Sequence, residues 1–189
     1  MADLASKASQ LDGKNVNSFV LSQKAHPRYC VALVCKNSKK VRVFELGSEG
    51  KFTYFNELDT PESMAAVAYN TPRVYMGYSR EYNICEDSTG AVSDSVELRV
   101  GSNNKAFLRC LPSDRVLMTT TECTGVVTNS SGRRLAESDI RFRHSAVRAV
   151  ALCYPYTISI GSDARGNAEA RIEVHAARGP GGRDELVQE

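Results

Sequence analysis

The sequence has no tryptophan and only three histidines among its 189 residues. Histidine is the usual general base and the commonest metal ligand, so chemistry of either kind has few residues to draw on. No stretch approaches the roughly eighteen consecutive apolar residues of a membrane span. The opening MADLASKASQLDGK lacks the apolar core of a secretory signal and any arginine-rich amphipathic pattern. A cytosolic chain is the expectation. The RDEL at Arg183 to Leu186 does not alter it, because Val187, Gln188 and Glu189 follow and a retrieval receptor reads a free end. A large excess of one charge is missing too. Lys+Arg 24 against Asp+Glu 22 leave a formal net charge of +2, too little for a general nucleic-acid or membrane-surface binder. The six cysteines, at 30, 35, 85, 110, 123 and 153, include no C-x-x-C. In a reducing compartment they are expected as thiols, with Cys30, Cys85 and Cys153 serving as small core residues in or beside apolar runs. Cys30 and Cys35 lie five apart on one predicted strand and so face opposite sides, which does not suit a shared metal.

What remains is ordinary globular composition, 42% hydrophobic and 24% charged, in a chain long enough for one domain with a sizeable core. It also contains a repeat. VRVFELGSEGKF from Val41, EYNICEDSTGAV from Glu81 and GVVTNSSGRRL from Gly125 are each a strand-like run closed by a polar turn. Their turn glycines, Gly50, Gly90 and Gly132, stand 40 and 42 residues apart. Glycine with Asn, Asp or Ser is what a hairpin needs where the backbone takes positive φ or a side chain caps the turn. The preceding strand recurs as well, in YCVALVC, RVYMGY, RVLMTT and YTISIG, and before the last three stand MAAVAY, AFLRCL and AVRAVAL. NTP, LPSD and YP mark the turns between them. No window sustains an i, i+3, i+4 apolar pattern over three turns, and β-branched residues fill the runs. PESMAAVAY has a helix-like opening, but its equivalents in the other repeats read as inner strands, so a strand is expected there too. Three or four strands in about forty residues is the period of a β-propeller blade. The fold expected is all-β, a β-propeller portion of about four blades of short antiparallel strands. It would occupy residues 16–178, between a disordered segment at 1–15 and a flexible tail at 179–189 that contains GPGG. The last unit, ARIEVHAARGPGG, is displaced by SDARGNAE, read as a longer loop.

Aligned on its own repeat, the chain resembles the citron-homology domain. The resemblance rests on LDTPESMAAVAYNTPRVYMGYSREYNICEDSTGAV, with its strand closing on Gly77, the REY of Arg80, Glu81 and Tyr82, and Thr89-Gly90; GVVTNSSGRR, YPYTISI and IEVH continue it. It covers about Val31 to Val174. ALVCKNSKKVRVFEL and YPYTISI lean towards the tethering branch: the vacuolar-sorting subunits of the HOPS and CORVET complexes and the TGF-β-receptor-associated protein. Two features depart from the family. VELRV stands where an aromatic-proline LFP is common, and no tryptophan occurs near Phe142. Family domains also hold roughly seven blades at this period. The resemblance therefore implies the C-terminal part of a propeller with open edges, either completed by a neighbouring domain or left by a truncated product.

Few residues carry a chemical pattern. His26, His144 and His175 fall in different repeats with no carboxylate at a helpful spacing, and read as strand or surface residues. GYSRE lacks the second glycine of a nucleophile elbow, and GPGG has no Lys-Ser/Thr after it. Asn129-Ser130-Ser131 matches a glycosylation acceptor that a cytosolic chain would not use. The candidate partner-binding residues are Arg133, Arg134, Arg141, Arg143 and Arg148 in RRLAESDIRFRHSAVR, diluted by Glu137 and Asp139. On a strand Arg141 and Arg143 share a face and can present a forked pair to a carboxylate or phosphate. The plainer alternative is a solvated outer strand whose charges block edge aggregation. KNSKKVR reads as a hairpin tip.

The resemblance implies a non-enzymatic interaction module of an endosome or vacuole tethering subunit. It would bind a Rab-type small GTPase or sister subunits of the complex, with peripheral membrane contact, and use no cofactor, metal, nucleic acid or small-molecule substrate. Citron-homology domains also regulate Ste20-like kinases and Rho exchange factors, and that signalling role is the alternative. A propeller enzyme would need acidic residues or metal ligands at equivalent places in several blades. No such ring is found.

Overall fold

A computed structural model describes residues 16–22, 29–35, 39–47, 49–79, 81–96, 106–120, 124–135, 139–144, 146–153, 155–162, 170–176 and 185–188. Every regular element among them is a β-strand. The strands form four antiparallel four-stranded sheets, each a meander in chain order. The first sheet holds β1 (Val16–Leu21), β2 (Tyr29–Cys35), β3 (Lys40–Leu46) and β4 (Phe52–Asp59). The second holds β5 (Ala66–Asn70), β6 (Arg73–Gly77), β7 (Tyr82–Glu86) and β8 (Val92–Val96). The third holds β9 (Leu108–Leu111), β10 (Arg115–Thr119), β11 (Thr124–Asn129) and the two-residue β12 (Ile140–Arg141). The fourth holds β13 (Ala146–Cys153), β14 (Tyr156–Ser162), β15 (Ala170–Ala176) and β16 (Glu185–Gln188). The first strand of each sheet runs beside the first strand of the next. This is the arrangement of four consecutive propeller blades.

The expected turns carry the geometry for which their residues are suited. Gly50, Gly90 and Gly132 all have positive φ, at 72°, 71° and 82°, which glycine adopts without a Cβ penalty. In the third sheet Asn129 Oδ1 caps the turn by accepting from the backbone N–H of Ser131 and Arg133, at 3.1 and 2.9 Å. The stretch from Pro61 to Tyr69 forms the inner strand β5 at its apolar end, as its place in the repeat predicts.

Side-chain alternation builds the core as three seams between stacked sheets. Val41, Val43 and Leu58 of the first sheet pack on Tyr69, Val74 and Met76 of the second. The other face of the second sheet sends Ala68, Tyr75, Tyr82 and Ile84 against Leu108, Val116 and Met118. Leu117, Val127, Ile140 and Phe142 then meet Val147 and Val150. Strands of the middle sheets are covered on both faces, which is why VYM and VLM read as continuous apolar runs.

Two local expectations change. Glu185–Gln188, within the predicted flexible tail, pairs with β15 as the outermost strand of the fourth sheet. Cys153 is exposed at the end of β13, whereas Cys85 and Cys110 are buried. Its register partner is Tyr156, on the outward face of the last sheet, where no described strand covers it. The segments at 1–15 and 163–169 lie outside the described residues.

Candidate functional site

All five candidate arginines are exposed, but the structure divides them. Arg133 and Arg134 follow the β11 turn, and Arg134 bridges to β11 through Thr128 while its guanidinium pairs with Asp139. Arg141 ends β12, the outermost strand of the third sheet. Arg143 lies on the segment that crosses from there to the fourth sheet. Arg148 is instead on β13, the innermost strand of the fourth sheet, at a bulge between Val147 and Ala149. A blade's inner and outer strands are its opposite edges, so Arg148 stands apart from the others. Arg141 and Arg143 do share a face: Ile140, Phe142 and His144 are buried while the arginines between them are exposed. The period-two reading of RFR therefore holds beyond the two residues of regular strand.

What fixes this segment is a buried polar cluster that sequence reasoning missed. Both oxygens of Glu173 accept from the backbone N–H of Arg143, each at 3.0 Å. His175 Nε2 lies 3.1 Å from Glu173 Oε2, and His144 Nδ1 lies 3.8 Å from Oε1, too far for a hydrogen bond. His144 reaches the other way with Nε2, 3.0 Å from Ser159 Oγ on β14. Phe142 stacks on His144 and meets His175 edge-on, with ring centroids 6.5 and 5.5 Å apart. The side chains of Glu173 and His144 have no exposed surface. Burial holds the His144 pKa below its ordinary value, outweighing the attraction of Glu173. Gly161 makes room for this ring: a Cβ there would stand 2.4 Å from both His144 Cγ and the Ala146 carbonyl oxygen.

Two histidines placed in separate repeats thus converge on one carboxylate, contrary to the sequence expectation. His144 arrives from a crossing segment distant in sequence. Glu173 and His175, however, carried a legible signal, because residues two apart on a strand share a face. Ile172 and Val174 take the other. His26 lies outside the described residues. The cluster has its side chains buried among the described residues. Its work is to pin the Arg143 backbone to the fourth sheet.

The other seams use an amide and a buried phenol. Tyr69 Oη donates to Asp87 Oδ2 at 2.8 Å, with burial pushing the Asp87 pKa up, and Asn56 of the first sheet donates to the Asp87 and Ser88 carbonyls. Tyr82 Oη donates to the Thr119 carbonyl at 2.6 Å, joining the second sheet to the third. Burial pushes the Cys85 and Cys110 thiols up to about 11 and about 12, which keeps them protonated and unreactive near neutral pH. Among the described residues no group of histidine, cysteine and carboxylate side chains is arranged to hold a metal ion.

No family model matches the chain, and no curated protein matches it. Solved structures do. BamB from Moraxella catarrhalis is similar over 84% of this chain and 48% of its own, with a TM-score of 0.58 at 10% identity. Hsv2 from Kluyvelomyces marxianus is similar over 91% of this chain and 50% of its own, with a TM-score of 0.56 at 13% identity. Both are β-propellers, and the chain is a β-propeller portion. It spans about half the length of each of these two proteins.

Proposed function

We propose that the chain is a non-enzymatic interaction module of the citron-homology kind, acting in an endosome or vacuole tethering subunit. Its partner is a Rab-type small GTPase or a sister subunit. The observation that carries this reading is the exposed pair Arg141 and Arg143 on one face of a segment whose backbone is anchored to a buried carboxylate. A guanidinium is a planar fork suited to carboxylates and phosphates. Presenting two from a fixed backbone lowers the ordering cost of association. Arg133 and Arg134, beside the pair in sequence, extend the positive character, with Arg134 offset by Asp139. The Glu173, His144 and His175 cluster is closed to solvent, which favours binding over catalysis there. The citron-homology motifs supply the tethering branch and its cytoplasmic, membrane-peripheral location.

Affinity purification of the tagged chain from its own cytosol, with partners identified by mass spectrometry, tests this. Recovery of tethering subunits together with a Rab-type GTPase is the expected result. Recovery of kinases or Rho-type GTPases without tethering subunits would replace it with the signalling role.

A further inference from the structure

Six large hydrophobic side chains are exposed among the described residues, and five of them, Phe19, Tyr54, Tyr156, Ile160 and Ile172, lie on the two end sheets. The last sheet is inverted relative to an ordinary half-exposed one. Its inward face is polar at the centre, with Thr157, Ser159, Glu173 and His175 buried. Its outward face places Tyr156, Ile158 and Ile160 opposite Ala176, Val174 and Ile172. An antiparallel sheet that meets water puts its polar side chains on that side. Here Ile172 is 54% exposed, while Glu173 beside it is fully buried. The outward face stands where a further blade would stack, continuing the three seams already present.

The first sheet offers the matching end. Val41, Val43 and Leu58 face the second sheet, so Arg42 and Glu57, one residue out of step and paired in register, face away from it. Arg42 Nε lies 3.0 Å from Glu57 Oε2, and Lys40 pairs with the same carboxylate, so these charges are met within the sheet. Phe19 lies in the same cross-strand row as Arg42, through Leu33. Tyr54 is 60% exposed nearby, edge-on to Phe44.

We propose that a second copy of this chain completes the ring, each last sheet stacking on its partner's first sheet. The chain matches 48% and 50% of two propeller proteins, so about as much structure again closes a ring. A second copy supplies that amount and one end of each kind. A two-fold axis along the central channel gives two identical contacts and no free end, which is how a head-to-tail contact closes. Pairing two last sheets back to back would cover Ile160 and Ile172 but leave Phe19 and Tyr54 in water.

Sedimentation of the 189-residue chain at micromolar concentration tests the ring. The expected mass is twice the 20.7 kDa of one chain. Ile160→Lys/Ile172→Lys breaks the last-sheet end and Phe19→Glu/Tyr54→Glu the first-sheet end, and each variant alone should sediment as one chain with unchanged β-sheet circular dichroism. Mixed, they should return to twice the chain mass, because one contact is then wild type and the other sets lysines against glutamates. A wild-type chain at single mass overturns the proposal whatever the variants do. So does a first-sheet variant that stays dimeric, which would mean back-to-back pairing, or a mixture that does not reassemble.

Discussion

Glu173 has no exposed side-chain surface, and its hydrogen-bond partners are the Arg143 backbone N–H and the His175 imidazole. Removing the carboxylate leaves the Arg143 N–H without its acceptor in a buried site, so Glu173→Ala should cost about 1–3 kcal/mol in chemical denaturation. Glu173→Gln, which keeps the shape and one acceptor, should cost less. His144 gives the seam a pH dependence. Its folded pKa is below the ordinary value of 6.5 because burial disfavours the imidazolium. Between that lowered value and 6.5 the unfolded chain binds the extra proton, so the contribution to stability is complete above 6.5 and is lost as the pH falls below it. Melting temperature should hold steady above neutrality and decline towards pH 5, with a shallower decline in His144→Gln. Gly161→Ala should destabilise by about 1–3 kcal/mol, since its Cβ would collide with backbone as well as with the imidazole. At this scale the sequence was partly readable. RFR gave its shared arginine face by alternation alone. EVH places Glu173 and His175 on one face by the same alternation, but the imidazole at 144 comes near Glu173 only through tertiary structure.

Among the elements, strands with a turn glycine after them were the most legible. Positive φ at Gly50, Gly90 and Gly132 restricts the residue choice, and the restriction is visible as a repeat. Gly132→Ala combines that strain with a Cβ placed 2.6 Å from Val96 Cγ2 and 2.9 Å from Ile84 Cδ1. Its cost should exceed the roughly 1–2 kcal/mol usual for a left-handed residue alone, measured by thermal melting. The blades are joined by phenols as well as by apolar contact. Tyr82→Phe should cost about 1–3 kcal/mol by leaving the buried Thr119 carbonyl without that donor. Short or late strands were not legible. β12 has two residues and no apolar pattern of its own. β16 follows GPGG and owes its pairing to β15 rather than to local preference.

The whole molecule follows from one repeat of about forty residues. Each unit makes a four-stranded meander with two faces to cover, and stacking covers the faces of the middle two. The period sufficed to indicate the architecture without tryptophan or the usual Trp-Asp mark, because hairpin geometry and two-sided burial constrain sequence more strongly than any one motif. What lies at the open ends was not readable, since an outward apolar face and an inward one give the same alternation. The central functional claim concerns Arg141 and Arg143, held on a fixed backbone to receive a partner. It is tested most directly by comparing the partners recovered from cytosol by the wild-type chain and by Arg141→Glu/Arg143→Glu in one quantitative mass-spectrometry experiment. Two desolvated charge-assisted contacts, each about 1.5–3 kcal/mol, predict at least a tenfold loss of the principal protein partner with the melting temperature unchanged. Equal recovery by the two chains would contradict the account and leave the arginines as a solvated edge.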